Sequence, residues 1–168
     1  MKYLKNFLVR LFRKIMKWEK EEREAKLRKK YNIPKSFRFN GEHILIYGEG
    51  TIRIGENSYI GEASTLQLSK GNHIAIGNGC SLSHNVRIYT SSKDPMFDFK
   101  DKKSVPDKNG NVEIGNYVWI GANVFINPGI TIGDNSVIGA NSVVTKNVDA
   151  NSIYGGVPAK LIKKKFLN

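Results

Sequence analysis

Three histidines, His43, His73 and His84, carry the side chain type that exchanges protons near neutral pH. Any of them would serve as a general base if it were held beside a reacting hydroxyl. They are scattered, with no two at the close spacing of a zinc site, so no metal centre is expected. Cys80 is the lone cysteine, which excludes an internal disulfide and makes a reducing cytoplasm the default. Which histidine matters depends on the element that carries it.

That element is legible as a six-residue repeat. Ile114, Ile120, Ile126, Ile132, Ile138 and Val144 fall six apart, and Gly115, Gly121, Gly133 and Gly139 follow four of them. Four places after each aliphatic stands a small or β-branched residue: Val118, Val124, Ile130, Ser136, Ser142 and Val148. A helix would repeat at three and four, and an ordinary strand at two. A period of six fits an all-β fold, a parallel β-helix in which each unit supplies one short strand and one turn.

The same register runs earlier in two pieces, Ile54, Ile60, Leu66 and then Ile76, Leu82, Ile88. Four extra residues, Asn72 to Ala75, separate them. A longer interruption, residues 94–113, holds Pro95, Pro106, Gly110 and many charges, and is expected to protrude as a loop. With that loop cut out, Leu82, Ile120 and Ile138 stack one coil apart. The residues two places further on are His84, Ala122 and Ala140, which puts His84 in one column with two alanines, about 4.8 Å from the nearer. Cys80 takes the small inward position of its own unit and is expected to be packed.

The net charge of +12 is confined to the two ends. Residues 1–35 hold thirteen Lys/Arg against four Glu, and 160–165 add four lysines, while 36–159 carry ten cations and eleven acids. With no basic stripe crossing the repeats, nucleic acid is not an expected partner. In the basic segment 1–35, Leu4, Phe7, Leu8, Leu11, Phe12, Ile15 and Trp18 recur at helical spacing, opposite Arg10, Arg13, Lys14 and Lys17. This predicts an amphipathic helix that stops near Pro34, neither a signal peptide nor a membrane span. It either lies on an anionic membrane surface or packs on protein.

The run from Ile120 through Ile126-Asn-Pro-Gly-Ile-Thr-Ile-Gly133 to Lys146, together with Gly155-Gly-Val-Pro-Ala-Lys160, resembles the hexapeptide-repeat acyltransferases. The likeness is to the branch with galactoside, maltose and cell-surface polysaccharide O-acetyltransferases, and it covers roughly residues 36–165. It implies a left-handed β-helix domain over 36–168, with the loop at 94–113 and a tail at 149–168, assembled as a homotrimer. It also implies acetyl-CoA as acyl donor and a carbohydrate acceptor. Ala122 and Ala140 match positions lining the pantetheine channel, and Thr145 and Lys146 a pair near the adenosine. Lys160 and Lys163 match cations on the nucleotide phosphates, and Trp119 an aromatic beside the reacting centre. Lys164 and Lys165 are expected to form a solvated tail.

In that branch a histidine closes the hexad before the loop and acts as the base. Here Lys93 stands in its place, followed by Asp94 and Pro95. An ordinary lysine is protonated at neutral pH and is no base. Positions matching sugar-contacting Asn and Asp read approximately as Ala63 and Gly71, so a simple galactoside is not the expected acceptor. His84 is the expected replacement base, with Lys93 and Asp94 binding acceptor or orienting the loop. The resulting expectation is direct acetyl transfer to a sugar hydroxyl of a polysaccharide or its precursor, in the cytoplasm or at the inner membrane face. An amino-sugar N-acetyltransferase and a non-catalytic trimer tethered to membrane are the alternatives.

Overall fold

The computed structural model describes residues 2–101 and 103–166. It divides into two compact units, Met1–Ile33 and Pro34–Asn168.

The first unit is one helix, α1, over Lys2–Tyr31. Its end has a local cause. Asn32 adopts φ 52°, a left-handed conformation that asparagine tolerates, and the Ile33 amide donates to the Arg28 carbonyl at 3.1 Å. Arg28, Lys29 and Lys30 place cations beside the unpaired carbonyls of the last turn. Pro34 follows.

The second unit is a parallel β-helix of about five coils with three faces. One face, called A, runs through Arg38–Asn40, Tyr59–Gly61, Ser81–Leu82, Trp119–Ile120, Val137–Ile138 and Ser152–Gly155. Face B comprises Leu45–Gly48, Thr65–Leu68, Arg87–Tyr89, Phe125–Ile126 and Val143–Val144. Face C comprises Thr51–Ile54, His73–Ile76, Val112–Ile114 and Thr131–Ile132. All pairing between coils is parallel, so each strand satisfies its backbone on the coils above and below.

The aliphatic of each hexad points inward and meets its equivalent one coil on. Leu82, Ile120 and Ile138 form one such stack, Leu66, Ile88, Ile126 and Val144 another, and all are at most 1% exposed. Corners require left-handed backbone, and Asn57, Asn85, Asn123, Asn135, Asn141 and Asn151 supply it at φ 53–59°. All but Asn57 also bond along the axis through their side-chain amides, as in Asn85 Nδ2 to Asn123 Oδ1 at 2.9 Å.

The larger irregularities of the repeat fall at the corner between faces B and C. There Ile126 leads to Ile132 in six residues, whereas Leu66 leads to Ile76 in ten. Asn72 to Ala75 do not stand apart as an insert, since His73 to Ala75 lie in the face C strand. Thr65–Leu68 and His73–Ile76 are both lengthened strands, with the turn at Ser69–Asn72 between them. The long insertion leaves from the same corner as an ordered antiparallel ribbon, Ser91–Lys93 against Asp107–Asn109. Val112 and Glu113, counted with the loop from sequence, lie in the face C strand that pairs with His73–Ile76.

After the last coil the chain turns back. Lys160–Lys164 pairs antiparallel with Ser152–Gly155 on the edge of face A.

Candidate active site

The register brings His84, Ala122 and Ala140 to one corner, between faces A and B. The Asn123 amide donates to the His84 carbonyl at 3.0 Å, and the Asn141 amide to the Ala122 carbonyl at 2.8 Å. Coil spacing here is fixed by glycine. A Cβ on Gly61 would meet Ser83 at 2.6 Å and the His84 nitrogen at 2.9 Å, and one on Gly121 would meet the Ala140 nitrogen at 2.6 Å. The backbones therefore lie directly upon one another, and the column presents two methyl groups and then an exposed imidazole. Such a column has small side chains at one end and an imidazole at the other.

Trp119 lies on the outer side of face A, 57% exposed, while its neighbour Ile120 is fully buried. It sits in a row with Ser81 and Val137, continued by Ile153 and Lys163. Thr145, Lys146, Lys160 and Lys163 are all exposed toward the C-terminal end. Lys163 Nζ stands 4.6 Å from the Phe166 ring centre. Lys164 and Lys165, expected to be solvated, instead tie the returning strand to the coils. Lys164 Nζ contacts Asp149 Oδ2 at 2.6 Å, and Lys165 Nζ donates to Asn135 Oδ1 at 2.9 Å. The Lys164 hydrogen bond and charge hold the Asp149 carboxyl below its ordinary value.

Lys93 and Asp94 belong to the ribbon. Lys93 Nζ donates to the Val105 carbonyl and contacts Asp107 Oδ1, both at 3.0 Å, so both contacts use it as a donor. Asp94 Oδ1 accepts from the Met96 amide at 3.1 Å, while the Asp94 amide donates to the Pro106 carbonyl at 3.0 Å. These bonds, with Val105 buried beneath, shape the ribbon's base.

Other chemistry-bearing residues separate cleanly. The His73 Nε2 lies against the Glu113 carboxylate and 3.3 Å from Arg53 Nη2, and its amide donates to Asn111 Oδ1, so that ring is a tie across face C. His43 occupies a left-handed turn. Cys80 is buried, and that burial pushes its thiol up, away from thiolate chemistry. Among the described residues no group of three His, Cys, Asp or Glu is placed to hold a metal ion.

Two carboxylates escaped the sequence reading. The Asn85 amide donates to the Glu62 carbonyl and the Ala63 amide to the Glu42 carbonyl, which extends the column as Glu42, Glu62, His84, Ala122, Ala140. Counting back from His84 across the ten-residue step would have found Glu62, and Glu42 needed the further eight-residue step from Ile46 to Ile54.

Residues 111–146 match the family model described as bacterial transferase hexapeptide (six repeats). The galactoside acetyltransferase solved in complex with coenzyme A is 30% identical, with a TM-score of 0.68 over 87% of this chain and 71% of that one. The chain belongs to the hexapeptide-repeat acyltransferases. Another member of similar structure, a hexapeptide-repeat acetyltransferase of Vibrio cholerae O1 biovar eltor complexed with acetyl-coenzyme A, is 28% identical with a TM-score of 0.73, over 88% of this chain and 79% of that one. The polysialic acid O-acetyltransferase of Escherichia coli O1:K1 / APEC is 35% identical over 135 residues, which are 80% of this chain. This hexapeptide-repeat chain spans only 43% of that relative's length.

Proposed function

We propose that this chain is an acetyl-CoA-dependent O-acetyltransferase acting on a sugar hydroxyl of a cell-surface polysaccharide or its precursor. The column His84, Ala122, Ala140 carries the reading, because it sets an imidazole in line with two small residues. The acyl donor would lie along Ala122 and Ala140 with its nucleotide toward Thr145, Lys146, Lys160 and Lys163, whose charges suit phosphates. The acetyl-coenzyme A and coenzyme A complexes of the two solved relatives support that donor. A carbohydrate acceptor is supported by the polysialic acid and galactoside enzymes.

In this reading His84 takes the proton from the acceptor hydroxyl as its oxygen attacks the thioester carbon. A backbone N–H steadies the oxyanion. The C–S bond then breaks, the thiolate leaves, and the imidazolium returns the proton to it. No acyl-enzyme forms. Trp119 would pack beside the reacting centre, while Lys93 and Asp94 would act by shaping the ribbon. The working assembly is a homotrimer, and the chain works in the cytoplasm.

The test is release of free thiol from acetyl-CoA across a panel of polysaccharides, oligosaccharides and amino sugars. Thiol release that depends on a hydroxyl acceptor supports the proposal. No release with any acceptor, with acetyl-CoA still bound, makes the chain a binding protein instead. Release with amino sugars alone makes it an N-acetyltransferase.

A further inference from the structure

Helix α1 changes character at Trp18. Leu4, Leu8, Leu11, Ile15 and Trp18 follow one another at three or four residues, with Phe7 and Phe12 alongside, and so share one side of the helix. All seven are exposed, from 41% at Leu11 to 65% at Trp18. Continued at the same spacing, that side becomes Glu19, Glu22, Lys26 and Lys29. The stripe does not fade; it stops.

Charge divides at the same place. Residues 2–18 contain six cations (Lys2, Lys5, Arg10, Arg13, Lys14, Lys17) and no carboxylate. Residues 19–31 contain all four glutamates of the helix, each in an ion pair one turn away: Glu19 with Arg23 at 2.9 Å, Glu22 with Lys26 at 2.7 Å, Glu21 with Lys17 at 3.7 Å and Glu24 with Lys20 at 4.0 Å. The second half thus carries acids to pair with its cations, while among the described residues of the first half only Lys17 has an acidic partner, Glu21 across the boundary.

A second copy of the helix is a poor occupant for the apolar side, because pairing would bring two acid-free rows of cations together. A surface that is apolar within and negative at its edge is complementary on both counts. We propose that residues 2–18 bind the interface of an anionic phospholipid bilayer, with Leu, Phe and Trp side chains among the acyl chains and the cations at the phosphates, while residues 19–31 stay in water. This stands on the helix alone, independent of acetyl transfer.

Flotation of the full chain with phosphatidylglycerol–phosphatidylethanolamine vesicles, against vesicles of phosphatidylcholine alone, is the test. Binding should require the anionic lipid. Arg10→Gln with Lys14→Gln should weaken it about 30-fold, from two phosphate-facing cations, and Leu8→Glu with Leu11→Glu should abolish it. Lys26→Gln with Lys29→Gln should change it by less than about twofold, since that half of the helix stays in water, away from the phosphates. Tryptophan emission should shift to the blue on binding, and Trp18→Phe should remove that shift. No flotation, equal flotation on both vesicles, or flotation insensitive to the leucine pair overturns the inference. So does a change of oligomeric state caused by the leucine pair in a chain that never floats, which assigns the stripe to a second copy. Thiol release on a soluble acceptor, measured on the Arg10/Lys14 variant, keeps loss of lipid binding separate from loss of transfer.

Discussion

Trp119 and Ile120 are adjacent in sequence and point in opposite directions, so truncating each should produce opposite phenotypes. Ile120 is fully buried between Leu82 and Ile138, its partners in register on the coils either side. Ile120→Ala removes three carbons, about 2.4 kcal/mol of transfer free energy, and leaves a cavity that raises the loss to about 3–4 kcal/mol. For a chain of this length that is roughly 6–15 °C in melting temperature. Trp119 is 57% exposed, and Trp119→Ala should cost less than about 1 kcal/mol. Its effect should instead appear in acetyl transfer, because its outer row leads toward Lys163. Circular-dichroism melting and thiol release, run on both variants, read the two effects. If Trp119→Ala melts as low as Ile120→Ala, or if Ile120→Ala melts with the wild type, the assignment of inner and outer positions is wrong.

Lys160→Gln and Lys163→Gln should each raise the KM for acetyl-CoA roughly tenfold, the size of one charge-assisted hydrogen bond, with kcat little changed. Lys164→Gln should not, since that lysine holds Asp149. The lowered Asp149 carboxyl gives the returning strand a pH dependence. Its stabilisation is present above the ordinary carboxylate value and lost as pH falls through the lowered folded value, so melting followed into acid should show a slope that Asp149→Asn flattens. Lys93→Gln frees the ribbon from Val105 and Asp107. Limited proteolysis should then cut within 94–106 faster, with global melting shifted by less than about 1 kcal/mol, as expected of an exposed pair.

The β-helix was legible because a single chemical pattern, aliphatic residues at six with glycine after them, has a single geometric cause. Stacking fixed the column of His84, Ala122 and Ala140 by counting alone, and the runs Ile120–Lys146 and Gly155–Lys160 carried the family likeness that the relatives bear out. What the count missed lies where the repeat gives no signal. Ser91–Lys93 and Asp107–Asn109 are polar on both sides, so nothing in them announced a ribbon, and the loop boundary was drawn at Glu113 instead of before Val112. The tethers of Lys164 and Lys165 depend on a strand that runs antiparallel to the coils. Pairing of His73 with Glu113 spans the whole insertion and required the register of face C.

The most direct measurement is the rate of acetyl transfer by His84→Ala and His84→Gln beside the wild type, with acetyl-CoA affinity measured on the same preparations. Removing a general base should lower kcat by about 10²–10⁴ and leave donor binding and melting temperature nearly unchanged, because the imidazole is exposed. A near wild-type rate in both variants would contradict the assignment of His84 as the base.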